Sequence, residues 1–130
     1  MDFKARARKL NDGSQLVTVG DYGNIAVNEE EQTVVFGGEP KTGSVGLMFT
    51  GGVKTIIVAR NGLMVLRVKC SGDYSVTKLM AGEGAIVKVY FTGDLSNHTV
   101  IVQHYKNVPS GKITVYLNDT ESVPIVRELN

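Results

Sequence analysis

The stretch from Val53 to Cys70 constrains the fold of this chain more than any other part of the sequence. Two runs rich in β-branched and aliphatic residues flank Asn61-Gly62, the dipeptide best suited to a two-residue type I′ turn. This turn needs a positive φ at both central residues, which Asn tolerates and Gly accepts freely. The sequence therefore predicts a β-hairpin whose cross-strand partners have numbers that sum to 123, as those of Asn61 and Gly62 do.

In that register both faces of the predicted hairpin carry apolar side chains. One face is core-like throughout and consists of Val53, Thr55, Ile57, Ala59, Met64, Leu66, Val68 and Cys70. The other face is apolar in the middle and cationic at its ends, whereas the outer face of a sandwich is usually polar. Apolar outer positions indicate coverage by other segments of the chain or by another subunit. We therefore predict a homo-oligomer interface formed by Ile56, Val58, Leu63 and Val65.

The rest of the chain repeats the β signal with no convincing helical period. Ten to twelve short apolar runs follow one another at spacings of about ten residues, separated by turns rich in the 15 glycines. The runs 85–91, 99–105 and 112–117 read as a three-strand antiparallel meander. This pattern predicts an all-β fold, an antiparallel sandwich or barrel, with residues 11–130 forming a single domain.

The first ten residues, MDFKARARKL, form a basic segment in a chain whose net charge is only +1. We interpret them as a charged edge strand or as an arm that docks on an acidic partner surface or a nucleic-acid backbone, with Lys4, Arg6 and Arg8 as its contacts. The acidic run Glu29-Glu30-Glu31 reads as a solvated loop or as a partner of this segment.

No motif in the sequence predicts catalysis, a metal site or a cofactor. Nucleophilic catalysis needs a Ser or Cys near an oriented His, but the two histidines, His98 and His104, lie in no catalytic signature. Their spacing matches no zinc-ligand pattern. The single cysteine, Cys70, falls on the predicted apolar face and is expected to be a buried thiol. We therefore expect a protein that is not an enzyme and has no cofactor.

A carbohydrate- or host-surface-binding module is the alternative prediction, with Tyr22, Asp94 and His98 as loop contacts. Nucleic acid is an unlikely partner, since balanced charge surrounds the few aromatic residues and the chain has no Trp. No apolar run approaches the roughly 20 residues of a membrane helix, and no signal peptide is recognisable, so we expect cytoplasmic synthesis and no membrane partner.

The polar start MDFKARARKL, the dense β signal and the turns VPSGK and ARNGL resemble small virion accessory proteins of tailed bacteriophages. That group includes capsid decoration proteins, head-fibre anchors and tail or baseplate β modules. The resemblance lies in the overall character of the chain, so it assigns no functional residue. It implies a structural component that is assembled in the host cytoplasm, resides in the virion and contacts other virion proteins, with the basic segment as a docking arm.

Overall fold

The computed structural model describes residues 8–20, 24–38, 43–72 and 75–130. These residues form thirteen β-strands and no helix, which confirms the all-β class. The strands are β1 (Arg8–Lys9), β2 (Gln15–Gly20), β3 (Asn24–Asn28), β4 (Thr33–Gly37), β5 (Gly43–Phe49), β6 (Gly52–Ala59), β7 (Gly62–Ser71), β8 (Ser75–Ala81), β9 (Ala85–Asp94), β10 (His98–Tyr105), β11 (Lys112–Leu117), β12 (Thr120–Ser122) and β13 (Ile125–Leu129).

The strands build a β-solenoid of stacked coils. Sheet 1 has the order β1-β2-β5-β7-β9-β11-β12, and sheet 2 has the order β13-β10-β8-β6-β4-β3. From β4 to β11 successive strands alternate between the two sheets, so each coil contributes one strand to each. Neighbouring coils pair in parallel with offsets of 21 to 26 residues, as in Val45 with Leu66 and Ile86 with Lys112.

Antiparallel strands flank the parallel stack. β2 pairs antiparallel with β5 and with β1, and β3 pairs antiparallel with β4. β12 returns antiparallel to β11, while β13 continues the parallel stack beside β10. The first and last coils therefore carry extra strands that a regular solenoid coil lacks.

The core lies between the two sheets, because alternate residues of every coil point inward. On sheet 1, equivalent positions of successive coils stack into columns such as Val45, Leu66, Val89 and Val115, all essentially inaccessible to solvent. Burial of such columns is the main stabilising contribution, at roughly 25 cal/mol per Å² of apolar surface. Each coil buries its inner face only against its neighbours and the facing sheet, so the stack stabilises itself cooperatively.

The predicted hairpin is wrong, because β6 and β7 belong to different sheets. Of the two residues at the expected turn, only Gly62 has a positive φ, 88°, so a type I′ turn does not form. The chain instead turns a corner: β6 pairs in parallel with β4 and β8, and β7 with β5 and β9. The sum of 123 therefore describes no cross-strand pair.

The predicted sandwich or barrel and the antiparallel meander are also wrong. β9, β10 and β11 do not pair in sequence order; β9 lies between β7 and β11, and β10 lies between β8 and β13. Strands that pair in parallel need a long connection between them, and one full coil of 21 to 26 residues supplies it. The short links between consecutive strands only turn the chain from one sheet to the facing one. Local alternation within a strand is the same in both architectures.

Candidate functional site

The four predicted interface residues lie on two different sides of the fold. Ile56 and Val58 point into the core and are each 1% exposed, so they cannot contact another subunit. Leu63, at 52% exposed, and the partly exposed Val65 point outward from sheet 1. The expected patch was wrong because strand alternation on β6 is opposite to the one that the hairpin required.

Only part of the predicted basic segment is described, since Lys4 and Arg6 lie outside the described residues. Arg8 belongs to β1, an edge strand of sheet 1, and its Nε donates to Glu29 Oε1 at 3.2 Å. Both side chains are well exposed, so this ion pair contributes only a few tenths of a kcal/mol. The acidic run and the basic segment are therefore in contact within one chain, through the ion pair of Arg8 with Glu29.

The three residues of the alternative ligand site do not form one site among the described residues. Tyr22 lies outside them. Asp94 is exposed and caps its own turn, accepting hydrogen bonds from the Ser96 backbone N–H at 3.1 Å and hydroxyl at 2.7 Å. These hydrogen bonds lower the pKa of Asp94. His98 begins β10 and faces the interior, so it shares no ligand surface with Asp94.

His98 is the centre of a polar cluster inside the solenoid. Its Nε2 lies 2.9 Å from Thr77 Oγ1, and its Nδ1 lies 3.5 Å from Cys70 Sγ. Phe91 and Phe49 enclose the imidazole, with ring centroids 5.1 and 6.3 Å away. A neutral imidazole has one donor and one acceptor nitrogen, so these two contacts satisfy its polar atoms in an apolar setting.

The cysteine–histidine contact does not have the electrostatics of a catalytic pair. Burial raises the pKa of the Cys70 thiol to about 11, and burial together with the charge of Lys54 lowers the pKa of His98. Thiol and imidazole are therefore both neutral near pH 7, whereas a cysteine nucleophile needs its thiolate. Cys70 is also only 5% exposed. The arrangement is that of a packed, hydrogen-bonded core cluster.

Lys54 is a buried cation that ties the N-terminal turn to the solenoid. Its ammonium pairs with the Asp12 carboxylate and donates to the Gly51 carbonyl, and it lies 5.4 Å from the Phe49 ring centroid. Partial burial of Asp12 raises its pKa, but hydrogen bonds from Lys54 and Ser14 outweigh this and hold the pKa below 3.8. Asp12 therefore carries the charge that compensates Lys54.

The outer face of sheet 1 carries a stacked side-chain ladder. Arg67, Tyr90 and Tyr116 occupy equivalent positions of three successive coils. The two tyrosine rings stack with centroids 4.5 Å apart and planes 8° from parallel, and the Arg67 guanidinium carbon lies 5.0 Å from the Tyr90 centroid. Stacking of this kind contributes about 1 kcal/mol per pair beyond simple burial.

A groove of about 300 Å³ lies beside this ladder, over Gly46. Gly46 occupies the same position as Arg67 one coil earlier, and its missing side chain opens the space. Met48 and Val17 form its apolar walls, and Arg67 and Lys69 place positive charge at its edge. A concave apolar floor beside fixed cations is suited to an anionic ligand with a compact body.

The outer face of sheet 2 has a different chemistry. Among the outward positions of its described strands only Lys78 and Arg127 are charged. The remainder is dominated by aliphatic side chains in register across the coils, which we call the apolar face: Val35, Val53, Ile57, Val76, Met80, Ile101 and Ile125. Val53 and Ile125 are its most exposed members, at 46% and 55%, whereas Val76 and Ile101 are buried, at 7% and 6%.

The sequence did not predict either outer face correctly, because both depend on which coils stack. Outward positions of Leu63, Val65, Ile86 and Tyr90 were nevertheless recognisable from strand alternation. The signal for the ladder and the apolar face was the coil offset: residues about 23 positions apart, such as Arg67 and Tyr90 or Ile57 and Met80, become neighbours.

Comparisons of this chain with known proteins identify no relative. No protein-family model, curated protein or solved structure matches this chain significantly. Within the described residues no group of three or more His, Cys, Asp or Glu side chains could hold a metal ion. The same part of the chain contains no helix of the length and hydrophobicity that a membrane span requires.

Proposed function

We propose that this protein is a non-enzymatic structural protein that self-associates through the apolar face of sheet 2. The observation that supports this is the run of aliphatic side chains across successive coils, in which the outward positions of the described strands carry no charges besides Lys78 and Arg127. Val53, Ile57, Met80 and Ile125 supply its accessible surface, because Val76 and Ile101 are buried. Soluble monomers rarely expose apolar patches of more than a few hundred Å², and larger patches are typical of interaction sites.

The size of the apolar face suits a second copy of the chain. The members of the apolar face lie on five strands of sheet 2, about 4.8 Å apart, and about six residues per strand rise about 3.3 Å each. The face therefore measures roughly 24 by 20 Å, or about 480 Å². Two copies packed face to face would bury about 960 Å² in total, close to the roughly 1,000 Å² expected of a specific interface. A two-fold arrangement also places like surfaces together.

The non-enzymatic part of the proposal rests on the cluster around His98. The one thiol of the chain contacts an imidazole, yet both groups are neutral near pH 7 and the thiol is enclosed. A buried hydrogen-bonded cluster of this kind specifies packing rather than turnover. The finer hypothesis, a component of a bacteriophage virion, rests only on the resemblance of the sequence, and the identity of the neighbouring reading frames would test it.

The test compares two matched double variants by light scattering coupled to size-exclusion chromatography. Val53→Asp with Ile57→Asp charges the apolar face, and Leu63→Asp with Val65→Asp charges the opposite sheet at positions of similar exposure. We expect an oligomeric wild type, a monomeric Val53/Ile57 variant and an oligomeric Leu63/Val65 variant, all with the same β circular dichroism. Val53→Asp alone, at a well-exposed site, serves if the double variant fails to fold.

Two results would overturn the proposal. A wild-type protein that is monomeric at every accessible concentration would remove self-association altogether. An oligomer that dissociates only in the Leu63/Val65 variant would place the interface on sheet 1 instead of sheet 2.

A further inference from the structure

Four cations form a row on the outer face of sheet 1, and three of them, Arg67, Lys88 and Lys112, lie on one straight diagonal. Lys69 and Arg67 are two residues apart on β7. Lys88 lies on β9, the next strand of the sheet, two residues before Tyr90, which is the partner of Arg67. Lys112 lies on β11, two residues before Thr114, which is the partner of Lys88. With about 3.3 Å per residue and 4.8 Å per strand, successive cations are about 7 to 8 Å apart. We call these four residues the cationic diagonal.

The cationic diagonal has no internal counter-charge among the described residues. The ion pairs found there are Arg8 with Glu29 and Lys54 with Asp12, so neither engages the diagonal. On the same face the described acidic side chains are Glu121, opposite Tyr116, and Asp94, at the end of β9. Glu121 lies away from the four cations, whereas Asp94 is one strand and two residues from Lys69 and accepts hydrogen bonds from Ser96. In a chain of net charge +1 this is a local concentration of positive charge.

We propose that the cationic diagonal binds a linear anionic polysaccharide, with one sugar unit of it seated in the groove over Gly46. A linear polyanion presents charges at regular intervals, which the equal steps from Arg67 to Lys88 and from Lys88 to Lys112 on a rigid sheet can match, while Lys69 adds charge beside the groove. The groove adjoins the Lys69 and Arg67 end of the diagonal and gives a compact, partly apolar ring a place to pack. A rigid solenoid keeps the spacing fixed, so little ordering cost opposes binding.

The tyrosine ladder favours a polysaccharide over single-stranded nucleic acid. Binding of unpaired bases needs open aromatic faces on which bases stack. Tyr116 and Arg67 cover the two faces of Tyr90, and Tyr90 covers one face of Tyr116, so the ladder offers chiefly ring edges and hydroxyls to a ligand. Phenol hydroxyls beside cations can hydrogen-bond to sugar hydroxyls and carboxylates. The contact of Arg67 with Tyr90 also holds the guanidinium in place before the ligand arrives.

The experiment measures binding of polygalacturonate oligosaccharides by isothermal titration calorimetry, with neutral dextran oligosaccharides and an oligodeoxythymidylate as the other probes. We expect saturable binding of polygalacturonate alone. Raising the salt from about 0.1 M to about 1 M should abolish it, since the screening length falls from about 10 Å to about 3 Å. Lys69→Gln with Lys88→Gln should weaken binding about tenfold, at roughly threefold for each exposed charge.

Lys78→Gln is the matched control, because Lys78 lies on the outer face of sheet 2 and should leave binding unchanged. Absence of polygalacturonate binding, equal binding of dextran, or an equal loss in the Lys78 variant would overturn the proposal. The proposal would also be overturned, in favour of nucleic acid, if the protein bound the oligodeoxythymidylate more tightly than polygalacturonate and the Lys69/Lys88 variant lost that binding. The cationic diagonal and the apolar face lie on opposite sheets, so a monomeric Val53/Ile57 variant should still bind.

Discussion

Cys70 Sγ lies 3.5 Å from His98 Nδ1, although 28 residues separate the two along the chain. The contact arises because Cys70 ends the inward row of β7 while His98 opens the inward row of β10 on the facing sheet. Thr77 and the Phe91 ring complete the enclosure. The relationship couples the reactivity of the only thiol and the titration of an imidazole to the integrity of the coil stack.

The Cys70 thiol should be protected in the folded protein. Burial raises its pKa to about 11, so almost no thiolate is present near pH 8 to react with an aromatic disulfide reagent. We expect one equivalent of thiol to react at once in denaturant and only slowly, at the rate of opening, in native buffer. Fast labelling of the native protein would contradict the enclosed cluster.

Acidification should destabilise the protein through His98. The pKa of His98 in the folded protein lies below 6.5, its value in the unfolded chain. At a pH between these two pKa values the unfolded chain binds a proton at His98 and the folded chain does not. Stability is therefore complete above about pH 6.5 and falls as the pH decreases towards the folded pKa. Denaturant titrations from pH 8 to 5 should show this decline in the wild type and in His104→Gln, and a smaller one in His98→Gln. Identical profiles for the two variants would contradict it.

The sequence supported the strand positions far better than their pairing. Alternation placed Met64, Leu66 and Val68 inside correctly, because that pattern depends only on the pleat of one strand. The partner of each strand depends on a residue about 23 positions away, and the inward residues are interchangeable aliphatics that carry no visible repeat. The dipeptide Asn61-Gly62 is compatible with both a hairpin and a corner, and the parallel pairing of β6 and β7 with strands of other coils selects the corner.

The available clue was the spacing of the turn glycines. Gly52, Gly62, Gly72, Gly82 and Gly93 recur every ten or eleven residues, which is half of a coil. A regular period of corners fits a solenoid, but turns at spacings of about ten residues are also typical of a sandwich or barrel, so the spacing alone does not separate the two architectures. The Lys54–Asp12 pair and the Cys70–His98 contact had no such clue, since each depends on the complete stack.

Removing the partner of Lys54 should cost more than removing Lys54 itself. Asp12→Asn leaves an ammonium that is 1% exposed without its counter-charge, and we expect a loss of about 3 kcal/mol in the free energy of unfolding. Lys54→Met replaces the cation with an apolar chain of similar length over the Phe49 ring, so the loss should be smaller. Equilibrium denaturation of both variants gives the comparison. A larger loss in Lys54→Met would show that the ion pair itself stabilises the turn.

Gly93, near the end of β9, has no room for a side chain. Its φ is 93°, and a Cβ there would overlap the carbonyl oxygen of Cys70 in the preceding coil. Gly93→Ala should therefore lower the free energy of unfolding by about 3 kcal/mol, from the strained φ and from a shift of the Cys70 backbone. The matched control is Gly37→Ala, because Gly37 lies in a strand with a φ outside the left-handed region and nothing within 4 Å of the added carbon. That variant should stay within about 0.5 kcal/mol of the wild type. Equal losses in the two alanine variants would mean that the coils do not stack at Cys70 and Gly93 as closely as the fold requires.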